Sequence, residues 1–175
     1  MKLNSTFFIK LLLPCLFISL TSCSKNSKGT SSSRENIKKT SIFSTYEIGY
    51  MNEGNFVSVS EEEFKIYIKN TLELEGSVSY GSFTLGTLSE GYAIRTDLTN
   101  AGKYISYSHI MDYDGTNHHY LMAGESCSCT GSCSTGCSAS SSGPGDCGCS
   151  ACDNNNECSK THSIGSIAAP MFEEE

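Results

Sequence analysis

Regular alternation of apolar and polar positions is confined to residues 41–123, the middle of the chain. Apolar residues recur at helical spacing over residues 64–72, which predicts one amphipathic helix. Ser60, with Glu63 three positions later, gives a capping-box pattern at the start of this helix, and Gly76 is its predicted stop. The predicted buried face of the helix consists of Phe64, Tyr67, Ile68, Thr71 and Leu72.

Strand-forming segments make up most of the rest of this region. The predicted strands are 78–88, 92–98, 105–113 and 118–123, with residues 46–59 as a candidate first strand. The apolar phase of segment 78–88 changes around Gly81, which predicts a β-bulge. Turn residues at 100–102 and 114–117 separate the later strands and predict an antiparallel meander. The predicted fold class is α+β: one helix packed on a small antiparallel sheet of three to four strands, followed by an irregular Cys-rich tail.

The N-terminal residues 1–22 have the pattern of a secretory signal peptide. Lys2 and Lys10 form a basic region, and residues 11–20 form a ten-residue apolar run. A helix needs about 20 apolar residues to cross the hydrocarbon core of a bilayer, so this run is too short to span it. We therefore expect the run to direct export and to be removed with the signal.

The run ends in Leu20-Thr21-Ser22-Cys23, which resembles the lipobox of bacterial lipoproteins. The resemblance implies that the sulfur of Cys23 is acylated and that this residue begins the mature protein. Two or three acyl chains would hold the protein durably at a membrane, since each buried methylene contributes about 0.8 kcal/mol. The implied location is the bacterial cell envelope, and Ser24 favours the outer membrane if there are two. The alternative is an ordinary secretory signal with a chance cysteine.

The charge distribution separates a basic tether from an acidic body. Residues 23–40 are rich in Ser, Asn and Lys, which predicts a flexible segment. Residues 41–123 carry 4 basic and 11 acidic side chains, and residues 124–175 carry 1 and 7. An acidic body argues against nucleic acid as a partner. Since no catalytic triad, phosphate-binding loop or carboxylate pair stands out, we predict that the protein is not an enzyme; its protein partner is left open.

Eight cysteines lie within residues 127–158, where almost nothing else is apolar. They form two sets of four, spaced C-x-C-x3-C-x3-C and C-x-C-x2-C-x5-C, with the second beginning 20 residues after the first. The first set is Cys127, Cys129, Cys133 and Cys137, and the second is Cys147, Cys149, Cys152 and Cys158. Ordering a residue costs about 1–2 kcal/mol, so cross-links or metal must order this Cys-rich module, residues 124–163. An acidic C-terminal end, 164–175, follows it.

Two chemistries account for these cysteines. An even number of them in an exported segment without a core predicts a disulfide framework. Four thiolates at chelating spacings also suit a tetrahedral Zn²⁺ site or soft Cu(I), and the C-x-C repeats with polar spacers resemble metallothioneins, which implies thiolate-bound metal. The expected oxidising compartment favours disulfides and no cofactor, with Cu(I) or Zn²⁺ as the alternative. The layout predicts two similar units, each with two bridges or one four-sulfur site.

Three of the four histidines fall on the last predicted hairpin: His109, His118 and His119. With a turn at 114–117, His109 would lie opposite Met122, and imidazole and thioether are both ligands that suit copper. Ordinary surface histidines are the simpler interpretation, and the same holds for His162. The sequence therefore predicts a lipid-anchored, non-catalytic envelope lipoprotein whose disulfide-stabilised module serves interaction or protection; the alternative is an envelope protein that sequesters Cu(I) or Zn²⁺ through its C-terminal thiolates.

Overall fold

The computed structural model describes residues 40–133, 137–152, 158–167 and 169–172, which all belong to one structural unit. The predicted signal peptide and Cys23 lie outside the described residues, as does the predicted tether up to residue 39. Within the described ranges, no helix is long and apolar enough to cross a membrane.

The described residues form two α-helices, ten strands and a closing 3₁₀ helix. In chain order these are α1 (Ile42–Thr45), β1 (Glu47–Asn52), β2 (Asn55–Ser58), α2 (Glu61–Thr71), β3 (Val78–Tyr80), β4 (Thr84–Thr87), β5 (Tyr92–Asn100), β6 (Lys103–Asp114), β7 (His119–Gly131), β8 (Ala139–Ser140), β9 (Gly148–Cys149), β10 (Ser159–Ile164) and the 3₁₀ helix (Ala169–Phe172). The fold is therefore mostly β, and the predicted α+β class is wrong.

Eight of the strands form one mixed sheet in the order β2-β1-β7-β6-β5-β3, with β10 also paired to β7 and β4 also paired to β5. Strand β1 runs parallel to β7, and the other pairs are antiparallel. The predicted three to four strands were too few because segments 46–59 and 78–88 each contain two strands, and because β10 lies in the tail that was predicted to be irregular. Local alternation carries no signal for the pairing of β10 with a strand as distant as β7.

Helix α2 begins with the predicted capping box. The Ser60 hydroxyl accepts a hydrogen bond from the Glu63 amide at 3.3 Å, and the Glu63 carboxylate accepts one from the Ser60 amide at 2.6 Å. The hydrogen bonds from the Ser60 side chain and backbone hold the pKa of Glu63 below its usual value. The helix ends at Thr71, well before the predicted stop at Gly76.

One face of the sheet packs against α2, and we call it the helix face. Phe64, Tyr67 and Ile68 of the helix are buried against it. The sheet contributes a row of buried side chains: Ile94, Leu98, Ile105, Tyr107, His109 and Met111. Phe172 stacks on Tyr67 and fixes the C-terminal end of the chain to the same core.

The predicted turn at residues 100–102 is confirmed. The bulge predicted around Gly81 is instead a break between two strands. Ala101 and Gly102 adopt positive φ angles of 49° and 76°, which join β5 and β6 in a tight hairpin. Around Gly81, β3 and β4 separate while both remain paired to β5. The Gly81 amide donates to the Asp97 carbonyl at 2.7 Å, so the chain stays close to the sheet across the break.

The predicted register of the last hairpin is wrong. Met122 lies opposite Met111, and His109 lies opposite Ser126, with an irregularity between the two pairs. The turn is also displaced, because Asp114 pairs with His119 and His118 takes a positive φ of 60°. The predicted neighbours His109 and Met122 are therefore not paired across the strands.

Candidate functional site

The Cys-rich module is built on the second half of β7. His109 contacts Phe64 of α2 and pairs with Ser126, which places Ser126 on the helix face. Side chains alternate along a strand, so Cys127 and Cys129 point to the opposite side, which we call the back face. Both cysteines are almost completely buried, at 2% and 0% exposure. Strand β7 also runs through the predicted boundary between residues 123 and 124.

Four disulfides join the two cysteine sets. The pairs are Cys127–Cys147, Cys129–Cys149, Cys133–Cys152 and Cys137–Cys158. Each links one cysteine of the first set to one of the second, across 19 to 21 residues. The prediction of two bridges within each set is therefore wrong. Cys127 and Cys129 are two positions apart on one face of β7, and their partners Cys147 and Cys149 are also two positions apart, at β9, which contacts β7.

A two-stranded sheet of β8 and β9 lies over the back face. Ala139 pairs with Cys149, and Ser140 pairs with Gly148. Strand β8 contacts β6 and β7, and β9 contacts β7. The Cys129 sulfur lies 3.4 Å from the Gly148 carbonyl oxygen, so the bridges bring this small sheet into direct contact with β7. The central strands are consequently covered on both faces, by α2 on one side and by the module on the other.

Hydrogen bonds also attach the module to the rest of the sheet. The Glu90 amide donates to the Ser142 carbonyl at 3.3 Å, and the Ser89 hydroxyl donates to the same oxygen. Arg95 of β5 donates from Nη2 to the Ser141 carbonyl at 3.5 Å. The turn between β8 and β9 is thus held by polar contacts in addition to its bridges.

Strand β10 pairs antiparallel with the second half of β7 and lies next to the module. Glu125 of β7 contacts both the module and β10, because its Oε1 accepts from the Gly145 amide at 2.6 Å and lies 2.8 Å from His162 Nε2. Lys160 donates from Nζ to the Cys147 carbonyl at 3.1 Å. His162 is an exposed residue, as its sequence context indicated, and its ring joins β10 to β7 through Glu125.

Three of the four sulfurs in the two distal bridges, Cys133–Cys152 and Cys137–Cys158, form a compact group. The sulfurs of Cys137, Cys152 and Cys158 all lie within 4.8 Å of one another. Between the two bridges, the sulfurs of Cys152 and Cys158 are 3.8 Å apart. A cleft of about 310 Å³ reaches this group and is lined by Asp97, Tyr104, Ser106, Cys133, Cys137 and Ser138, among others.

The histidines considered for copper are not brought together. The ring of His109 is fully buried, and its Nδ1 lies 3.1 Å from the Tyr107 hydroxyl. Burial lowers the pKa of His109 to about 3, with the nearby Ala123 carbonyl acting in the opposite direction. His119 Nε2 contacts Glu47 at 2.8 Å, and His118 Nδ1 hydrogen-bonds to the Tyr113 hydroxyl at 2.9 Å. Each ring is engaged with a different partner, which does not support a shared metal.

A cluster of tyrosines near the last hairpin was not anticipated from the sequence. It consists of Tyr46, Tyr92, Tyr113 and Tyr120. The ring centroids of Tyr113 and Tyr120 are 4.8 Å apart, and Tyr46 and Tyr113 remain about 40% exposed. The aromatic residues flanking the 114–117 turn were a signal for this cluster, but the cross-strand partners depend on the register. Partly exposed tyrosines with apolar rings and polar hydroxyls are common in protein contact surfaces.

Comparisons with known protein families, with curated proteins and with solved structures found no match. The interpretation of the site therefore rests on its own geometry. That geometry is a cross-linked layer on a sheet, in which the sulfurs are largely buried and the neighbouring polar groups are engaged in contacts that hold the layer in place.

Proposed function

We propose that this protein is a non-catalytic lipoprotein of the bacterial envelope whose disulfide-stabilised module serves interaction or protection. The observation that carries the proposal is the set of four bridges, which join the two cysteine sets over the back face of the sheet. Disulfides persist in oxidising compartments, so this framework agrees with the export that residues 1–22 predict.

The module has few apolar residues to bury, and the bridges supply the stability that such burial would otherwise give. Each disulfide contributes roughly 2–4 kcal/mol, mainly by restricting the unfolded chain. The four together offset much of the cost of ordering a segment filled with Ser, Gly, Asp and Asn. A layer stabilised in this way resists proteases because local opening exposes little chain while the bridges remain.

Structural contacts of the charged residues support a non-catalytic role. Glu47 and Glu125 contact His119 and His162, and His109 is buried under α2. These groups are engaged in holding β1, β10 and the core. The tyrosine cluster supplies the exposed aromatic surface on which an interaction would depend.

The chemistry of the module is tested by counting thiols in the mature protein. The bridged protein should show almost no free thiol without reductant and eight after reduction in denaturant, and peptide mapping should recover the four cross-set pairs. A native sample with several free thiols and stoichiometric copper or zinc would refute the disulfide framework.

The proposed anchor is tested separately by the change Cys23→Ser. Without the acylated sulfur the protein should move from the membrane fraction to the soluble fraction. Cys15→Ser is the matched control, because this cysteine lies in the predicted signal and should leave with it. Retention of the Cys23→Ser protein in the membrane would contradict the lipoprotein proposal.

The alternative function, binding of Cu(I) or Zn²⁺ by the C-terminal thiolates, is favoured by one observation. Cys137, Cys152 and Cys158 bring three sulfurs within 4.8 Å of one another. Thiolates this close are suited to a soft or borderline metal ion. In the bridged protein these sulfurs are bonded in pairs, so binding requires that the bridges are first reduced.

A further inference from the structure

We propose that the four distal cysteines, Cys133, Cys137, Cys152 and Cys158, form one zinc site when an external dithiol reduces their two bridges. This inference rests on the alternative metal-binding function and defines its site. The proximal bridges, Cys127–Cys147 and Cys129–Cys149, remain the structural part of the module. The site takes two cysteines from each sequence set, which differs from the two separate four-cysteine sites that the spacing predicts.

The positions of the distal sulfurs fit a tetrahedral ion. With a Zn–S distance of about 2.3 Å, two ligand sulfurs of a regular tetrahedron lie about 3.8 Å apart. The sulfurs of Cys152 and Cys158, which belong to different bridges, are 3.8 Å apart. Cys137 lies within 4.8 Å of both, and Cys133 is bonded to Cys152. Opening the two bridges therefore leaves three sulfurs close together, and Cys133, which lies outside this group but beside Cys152, must rotate to supply the fourth ligand.

The proximal cysteines have a different arrangement. Cys127 and Cys129 are held two positions apart on β7, where neighbouring side chains of one face are about 6–7 Å apart. Of their partners, Cys149 lies in β9 and Cys147 immediately precedes that strand. In the part of the chain that the structure describes, no other group of three His, Cys, Asp or Glu side chains comes as close as the distal sulfurs.

The conversion balances as a thiol–disulfide exchange. Two equivalents of an external dithiol supply four electrons and four protons, break the Cys133–Cys152 and Cys137–Cys158 bonds and become two disulfides themselves. Zn²⁺ then binds the four sulfurs as thiolates and displaces the four protons to solvent. The ion carries no redox change, so reoxidation with loss of zinc restores the bridges.

The cleft beside the module provides access to these sulfurs. Its lining includes Cys133, Cys137 and the exposed residue Asp97. An acidic residue in the lining favours a divalent cation over an anion. A reductant and an ion can thus approach the distal bridges through this cleft, whose lining among the described residues includes no proximal cysteine.

The test uses the full mature protein and maps thiol labelling. The protein is reduced with dithiol, then alkylated with and without added Zn²⁺, and each cysteine is quantified by peptide mass spectrometry. Zinc should slow labelling of the four distal cysteines by about tenfold or more, since protection grows with the ratio of zinc concentration to dissociation constant. Labelling of the four proximal cysteines should change much less. Equal protection of all eight, or protection that follows the two sequence sets, would overturn the proposal.

A pair of variants gives a matched control with cobalt as the probe. Cys137→Ser with Cys158→Ser should abolish the thiolate-to-cobalt charge-transfer absorption of the reduced protein, and Cys127→Ser with Cys147→Ser should keep it. The reverse result would reject the distal site. If either variant does not fold, the thiol-labelling map of the wild-type protein decides between the distal site and its alternatives. The disulfide framework is tested independently, by the absence of free thiols in the unreduced protein. Failure of the distal zinc site can therefore be distinguished from failure of the disulfide framework.

Discussion

At the scale of single residues, the most consequential side chain is His109, which is buried between the sheet and α2. Tyr67 meets its ring edge-on, with centroids 5.3 Å apart. The Nε2 atom makes no hydrogen bond of good geometry, so a positive charge on the ring would have little compensation. His109 is therefore a core residue that stays neutral in the folded protein.

The pH dependence of stability should reveal this neutral histidine. The pKa of His109 is about 3 in the folded protein, below the value of about 6.5 expected for the unfolded chain. The unfolded chain then binds a proton that the folded protein does not, so stability is complete above pH 6.5 and is lost as the pH falls towards 3. Between pH 7 and pH 5 we expect the free energy of unfolding to fall by about 2 kcal/mol. Urea titrations across this range measure the change.

Two variants identify the source of this pH dependence. His109→Gln should remove most of the loss between pH 7 and pH 5, because its side chain does not titrate. His118→Gln makes the same change on the exposed turn and should leave the dependence in place, because His109 is still present. Equal pH dependence in the wild-type and His109→Gln proteins would show that other groups are responsible.

At the scale of elements, the sequence allowed accurate prediction where the signal is local. The capping box of α2 is set by two residues three positions apart, and Ser60 and Glu63 were correctly interpreted. The turn at Ala101 and Gly102 was equally local, because Asn100 and Gly102 are turn-forming residues and glycine readily adopts a positive φ angle. Both features could be recognised without any knowledge of what packs against them.

Strand β7 shows why the rest could not be predicted. Its register against β6 shifts between the pair His109–Ser126 and the pair Met111–Met122. Such a shift leaves no distinct pattern in the sequence. Its second half lacks aliphatic residues and was interpreted as irregular, yet Ser126, Cys127, Ser128 and Cys129 form a buried central strand. The burial comes from the bridges and from β8, β9 and β10, which are defined only once distant cysteines are paired.

The β1–β2 hairpin permits a test of close strand contact. A Cβ atom added at Gly49 would lie 2.0 Å from the Val57 carbonyl oxygen, so Gly49→Ala must displace β2. We expect a loss of about 1–3 kcal/mol in the free energy of unfolding, comparable to other overpacked sites. Chemical denaturation monitored by circular dichroism measures it.

Gly86→Ala is the matched control for this change. Gly86 also lies in a strand, β4, but no atom lies within 4 Å of the Cβ that alanine would add. Alanine should therefore be tolerated or stabilise slightly, by about 0.5–1 kcal/mol, through its lower entropy in the unfolded chain. Similar effects of the two substitutions would contradict the close approach of β1 and β2.

At the scale of the whole molecule, the bridges make one layered body of α2, the sheet and the Cys-rich module. All four chain segments closed by bridges include residues 138–146. A single cut by a protease at a site introduced at 143–145 should therefore leave the two fragments covalently joined. On a denaturing gel the cut protein should run as one band without reductant and as two bands with it.

The same protease site placed in the turn at Gly54 provides the comparison. No described bridge spans this turn, so its fragments should separate on a denaturing gel even without reductant. If the fragments of the protein cut at 143–145 also separate without reductant, the bridges lie within each cysteine set and the cross-set pairing is wrong.

The order of these bridges also determines how the protein must acquire them. In the exported chain that we propose, the first cysteine set enters the oxidising compartment before the second. Short loops close faster than long ones, so pairs within the first set form early, and every one of them is incorrect because each native bridge spans 19 to 21 residues. Reaching the native pairing then requires repeated exchange between sulfurs. The yield of folded protein in the cell should consequently depend on a disulfide isomerase, and an oxidase alone would accumulate mispaired chains.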